Sequence, residues 1–169
     1  MSKKTSFSPA KAAKAALGNH GFIPHTPELL SSEAWRGRSV NATRILDRLE
    51  LEHLAHAGRE NGFLIVTHQQ FVEYGVCKHN VKSGIEENEL RGLLIVTNQG
   101  SRKGGAKNNP SRYQLTYLQW KMFPAVGPPQ YLDPNHEWRA FKADPTAKRP
   151  RREKRSSQEI TDRLRKRTK

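Results

Sequence analysis

The chain has little of what builds a membrane protein, a disulfide scaffold or a zinc module. Cys77 is the single cysteine in 169 residues, which excludes an internal disulfide and a cysteine-rich zinc site. No stretch approaches the ~20 apolar residues needed to span a bilayer. The basic, Ala-rich N-terminus also lacks the ~7–15-residue apolar core of a secretory signal. A reducing cytoplasmic setting at the nucleoid is expected, with no membrane partner. Acidic residues are scarce as well: 16 Asp and Glu face 30 Lys and Arg, leaving a net charge of +14. A polyanion is therefore the expected partner. Hydrophobic residues make up only 34% of the chain, enough for one domain with appendages but not for two cores.

What is present falls into four stretches. Residues 1–24 read as a basic arm with one short helix, capped at Ser8 and stopped at Gly18. From Thr26 and Pro27 a helix is predicted with Leu29, Leu30, Ala34 and Trp35 on its apolar face, up to Arg36 and Gly37. Ser39 opens a stronger one, in which Val40, Ile45, Leu46, Leu49 and Leu54 recur near the 3.6 period until Gly58. Asn61-Gly62 is a turn dipeptide, and Phe63 to Val66 reads as a buried strand. Thr67 caps a helix over His68 to Tyr74; Gly75, Val76 and Cys77 form a corner; another helix runs from about Lys78 to Arg91. Leu93 to Thr97 and Arg112 to Tyr117 then form a hairpin around a Gly-rich loop. Prolines 124, 128, 129 and 134 argue against regular structure in residues 119–135, with Trp120, Phe123, Tyr131 and Trp138 available to fold back.

The order of helix, helix, strand, helix, tight turn, helix, strand, basic loop, strand is that of a winged helix-turn-helix. The fold class expected is mainly α with a small β-hairpin (α+β). The divisions expected are a basic arm over 1–24, the winged-helix domain over 25–118, a Pro/aromatic extension over 119–143 and a basic tail over 144–169. In the domain, Phe71, Val76, Val81 and Ile85 can close a core between two crossed helices. That leaves Lys78, His79, Asn80, Lys82 and Ser83 on the outer face of the second helix, where a helix entering a major groove presents side chains to base edges. Lys78 and Lys82 would lie one helical turn apart, and Asn80 suits bidentate reading of adenine.

The loop from Gln99 to Pro110 carries Arg102, Lys103 and Lys107 among glycines, with Arg112 just beyond, a composition suited to phosphates or a narrow minor groove. An ATPase phosphate loop is excluded, because Ala106 stands where the lysine must be. Residues 133–169 hold thirteen Lys and Arg against six Asp and Glu, half of the positive surplus. Among them Lys148, Arg149, Arg151, Arg152, Lys154 and Arg155 are expected to add nonspecific DNA affinity.

Ser32-Glu33-Ala34-Trp35-Arg36, Leu46 to His53, Asn61-Gly62, Pro110 to Tyr117 and Glu137-Trp138-Arg139 together resemble a group of small winged-helix proteins of proteobacterial chromosomes, plasmids and phages. The resemblance covers residues 22–140. It implies double-stranded DNA as partner and a role shading between transcriptional regulation and replication initiation. Asn88 departs from the pattern, since such proteins place an apolar residue there.

Other constellations carry less. His53 and His56 lie three apart on a helix without a third ligand, and are read as surface or capping residues. Glu86, Glu87 and Glu89 sit on an exposed helix half, and Glu50 and Glu52 among Arg48, His53 and solvent. Cys77 reads as a small packed corner residue rather than a redox sensor. No catalytic set, metal or cofactor is implied. The function expected is sequence-specific binding of duplex DNA by a regulator or mobile-element factor. The alternative is a replication initiator or architectural component that recruits other proteins; a second copy of the chain and other DNA-bound proteins are further partners to consider. RNA binding is a third and the weakest reading, since no aromatic-bearing sheet motif of the RNA-recognition type is present.

Overall fold

The structure is a computed structural model that describes residues 21–100 and 110–143. The expected arm helix, the wing cations Arg102, Lys103 and Lys107, and the tail cations from Lys148 to Arg155 lie outside the described residues.

The first predicted helix is two. Thr26 caps α1 (Pro27–Ser31) by accepting from the Leu29 amide at 3.2 Å, and Ser32 caps α2 (Glu33–Arg36) by accepting from the Trp35 amide at the same distance. Ser32 does so in extended backbone, φ −65° and ψ 151°, which breaks the helix at that residue. Leu30, expected on the apolar face, is consequently exposed.

Ser39 caps α3 (Val40–Ala55), the longest helix described, whose inward face is Ala42, Ile45, Leu46, Leu49 and His53. Two expectations fail on it. Val40, at the helix start, is 67% exposed, while His53 is buried at 7%. The helix stops at Ala55, and the chain reverses through positive φ at Ala57 and Gly58.

β1 (Leu64–Ile65) is shorter than predicted and one-sided, with Leu64 buried and Ile65 exposed. α4 (His68–Glu73) follows a full capping box, Thr67 binding the Gln70 amide and the Gln70 side chain returning to the Thr67 amide. The next helix does not begin at Lys78. Lys78–Asn80 form a 3-10 turn, and α5 spans Val81–Leu90.

β2 (Leu94–Asn98) and β3 (Arg112–Leu115) pair antiparallel, and β1 pairs with β3 from the other side, giving the order β1-β3-β2. A second sheet stands where prolines were expected to prevent one: β4 (Trp120–Met122) pairs with β5 (Gln130–Leu132). Pro124, Pro128 and Pro129 fall in the connection and Pro134 beyond it, so no ladder amide is lost.

The architecture is α+β, with α3 and α5 packed on one face of the three-stranded sheet. Leu29, Ile45, Leu46, Leu49, Leu64, Phe71, Leu93, Leu94 and Leu115 form the core. Trp138, on a 3-10 turn at Glu137–Ala140, is 3% exposed in the same core, so packing continues past residue 118. Among the described residues, no helix is long and apolar enough to cross a membrane, and no group of three His, Cys, Asp or Glu could hold a metal.

Candidate nucleic-acid interface

The corner between α4 and α5 is held from below by α3. Gly75 turns the chain at φ +97°, a region that costs glycine little. The Arg44 guanidinium donates to the Gly75 carbonyl, and Asn41 Oδ1 accepts from the Cys77 amide at 3.2 Å. His68 Nε2 lies 3.2 Å from the Lys78 carbonyl. Val76 plugs the corner into the core at 2% exposure, and the chain from Cys77 to Asn80 is lifted into solvent.

α5 then turns three residues inward. Val81 and Gly84 face α3, and a Cβ on Gly84 would stand 2.7 Å from Ile45 Cδ1, so the crossing is close. Asn88 is fully buried. Its Nδ2 donates to the carbonyls of Ala42 at 2.9 Å and Gly84 at 3.0 Å. The polar residue that departs from the expected pattern therefore keeps the predicted register and bolts the helix to α3. Leu90, at the end of the helix, is 78% exposed.

The five residues proposed from sequence, Lys78, His79, Asn80, Lys82 and Ser83, are all exposed. Their spacing differs from expectation. The Asn80 amide closes a short 2.7 Å bond to the Cys77 carbonyl, and Asn80 sits at φ −109°, ψ 2°, so Lys78 and Lys82 are not one α-helical turn apart. The Asn80 side chain makes no capping bond, while its carbonyl accepts from the Ser83 hydroxyl at 3.2 Å. Lys82 is paired with Glu86 at 3.6 Å, but its side chain is 87% exposed, and such a surface pair is weak and screened by salt.

Between α5 and the sheet runs a groove of about 480 Å³, floored by Phe71, Val81, Ile85 and Tyr113 and edged by Glu86 and Glu89. Burial pushes the Tyr113 hydroxyl up from its ordinary value, against a hydrogen bond from Ser111 that lowers it. Glu89 accepts from the Val96 amide at 3.2 Å. Glu87 turns the other way, taking the Ser39 amide at 2.9 Å and Arg91 at 3.1 Å. The three glutamates thus have separate structural partners.

Arg112 stands apart from this surface. Its neighbour Tyr113 packs edge-on against Phe71 on the α5 side, so Arg112 projects to the opposite face of the sheet. There its guanidinium lies 5.5 Å from the Phe63 ring. The geometry removes it from the strip formed by Lys78 to Ser83.

Several positioning residues were not singled out from sequence. Asn61, read only as half of a turn, is 1% exposed and binds four backbone groups: the Leu115 amide and the carbonyls of Leu115, Leu118 and Gln119. Glu50, expected in solvent, accepts from Tyr117 Oη at 2.5 Å and lies 2.9 Å from His25 Nε2. Burial pushes the Tyr117 hydroxyl well above its usual range, and the Glu50 charge adds to it. The turn dipeptide was the only signal for Asn61; nothing local marks Asn41, Arg44 or Glu50.

No protein-family model, characterised protein or solved structure matches the chain.

Proposed function

We propose that α3, β1, α4, α5, β2 and β3 form a winged helix-turn-helix and that the chain binds double-stranded DNA sequence-specifically, without catalysis, at the nucleoid. One observation carries the reading. The exposed strip Lys78, His79, Asn80, Lys82 and Ser83 stands at the start of α5, held outward by a turn that α3 clamps at Gly75 and Cys77. The loop that joins β2 to β3 carries Arg102, Lys103 and Lys107, cations suited to additional phosphate contacts.

Lys78 and Lys82 are the cations of the strip, His79 and Ser83 are adaptable donors, and Asn80 has the amide that adenine reading requires. A net charge of +14 supplies the nonspecific attraction on which such reading is superimposed.

The test is a duplex site enriched from random sequence, titrated at one salt concentration. Asn80→Ala should weaken the enriched site by about ten- to a hundredfold if Asn80 makes a bidentate base contact, with random duplex much less affected. Equal loss on both duplexes, or none on either, would refute base reading by this residue.

A further inference from the structure

A second cavity lies on the face of the sheet turned away from α5. It measures about 250 Å³, below the ~300–1,000 Å³ of drug-sized sites, so it suits a flat group of one or two rings. Its walls are Phe63, Trp120 and Phe123, with Arg112, Lys121 and Gln114 among them.

These walls are built rather than incidental. Phe63 and Phe123 meet edge to face, ring centroids 4.9 Å apart and planes at 81°. Arg112 lies over Phe63, and Lys121 Nζ is 4.9 Å from the Phe123 ring centroid. The hairpin that carries Trp120 and Phe123 is pinned to the Asn61-Gly62 turn. The Lys121 amide donates to the Asn61 carbonyl at 2.8 Å, Lys121 Nζ pairs with Glu60 at 2.6 Å, and a Cβ on Gly62 would meet the Lys121 carbonyl at 3.1 Å. Phe123 nevertheless remains 55% exposed.

The charges differ in what they leave for a ligand. Lys121 is neutralised by Glu60. Arg112 forms no ion pair with a described carboxylate, and its Nε is buried without a hydrogen-bond acceptor. The cavity therefore combines π faces, a guanidinium with no carboxylate partner among the described residues, and the side chain of Gln114, whose Nε2 donates to Asn135 Oδ1 at 3.4 Å. That is the chemistry of a base-stacking platform: rings for any nucleobase, a cation for its phosphate.

We infer that this cavity binds an unpaired nucleobase of single-stranded DNA, as a nucleic-acid contact separate from the α5 strip. The cavity is formed by residues outside the α5 strip; the choice of DNA over RNA rests on the duplex-binding proposal. A protein that holds a duplex on one face and an unpaired base on the other would favour DNA in which a strand has opened.

The experiment uses the full chain and fluorescently labelled oligonucleotides: oligo-dT, oligo-U, an abasic strand of equal length and a duplex. Wild type should bind oligo-dT more tightly than the abasic strand. Phe123→Ala should erase that gain, roughly 5- to 100-fold for one stacked base, while abasic and duplex affinities stay within twofold. Because the substitution removes no charge, the slope of log affinity against log salt should not change. Phe123→Trp should restore the gain, and circular dichroism melting should find all three proteins folded. An undiminished dT gain in Phe123→Ala, or a parallel loss on abasic and duplex DNA, overturns the site. A gain for oligo-U without one for oligo-dT overturns the DNA assignment. Loss of duplex binding in Asn80→Ala or Lys82→Gln, with the dT gain intact, separates the two proposals.

Discussion

Asn88 Nδ2 donates to the carbonyl of Ala42 at 2.9 Å, joining the first turn of α3 to the last turn of α5 in a place without access to solvent. A leucine there would fill the volume but could not reach the carbonyl. The same amide nitrogen also takes the Gly84 carbonyl, so one side chain sets both the distance between the helices and the rotation of α5.

Removing that amide should be costly. Asn88→Ala leaves a void and deletes two buried bonds, and an expected loss of about 1–3 kcal/mol should appear in urea unfolding. Asn88→Leu should lose less stability yet rotate α5, which amide exchange along residues 81–90 would register. Stability equal to wild type in Asn88→Ala would show that the bonds contribute nothing net.

Gly92 follows the end of α5 at φ +65°, and a Cβ there would stand 2.7 Å from the Glu137 backbone carbon and 2.8 Å from the Trp138 nitrogen. Gly92→Ala cannot relieve this by rotating a side chain. The substitution should cost at least about 1–3 kcal/mol and release Trp138 from the core, read as a red shift of tryptophan emission. An unshifted spectrum and unchanged melting temperature would place the backbone crossing elsewhere.

Acid should destabilise the fold through His53. Burial holds its imidazole below the usual 6.5, and Nδ1 has no hydrogen-bond partner among the described residues, so the folded state favours the neutral ring. The unfolded chain then binds the extra proton: stability is complete above about 6.5 and falls as pH drops below it, levelling off under the folded value. His53→Gln should flatten urea midpoints between pH 5 and 7. A His53 titration by NMR at or above 6.5 would contradict this.

Lys82 and Arg112 offer a comparison at constant net charge. Lys82→Gln should lower the salt slope of duplex binding by about 0.9 if Lys82 contacts one phosphate. Arg112→Gln, on the other side of the sheet, should leave the slope unchanged. Equal effects would mean that total charge, not the α5 strip, governs binding.

The elements themselves were largely legible in the chain. Thr26, Ser39 and Thr67 cap helices because a short hydroxyl can reach an amide two or three residues on, and Gly75 and Gly92 take positive φ where the chain must reverse. The outward placement of Lys82 and Ser83 follows from the period that buries Val81, Gly84 and Asn88. Local rules also misled. Ser32 lies inside the apolar pattern of a helix that it splits, and the prolines near 128 mask a hairpin whose strands begin and end clear of them. What the tertiary structure alone decided are contacts between residues far apart in sequence: Asn61 with Leu115, Arg44 with Gly75, Asn88 with Ala42, and Trp138 under Gly92. The turn to Lys78 and the aromatic face around Arg112 depend on those contacts. A buried amide or ring is fixed by whichever distant carbonyl or side chain packing brings to it, and no local period encodes that partner.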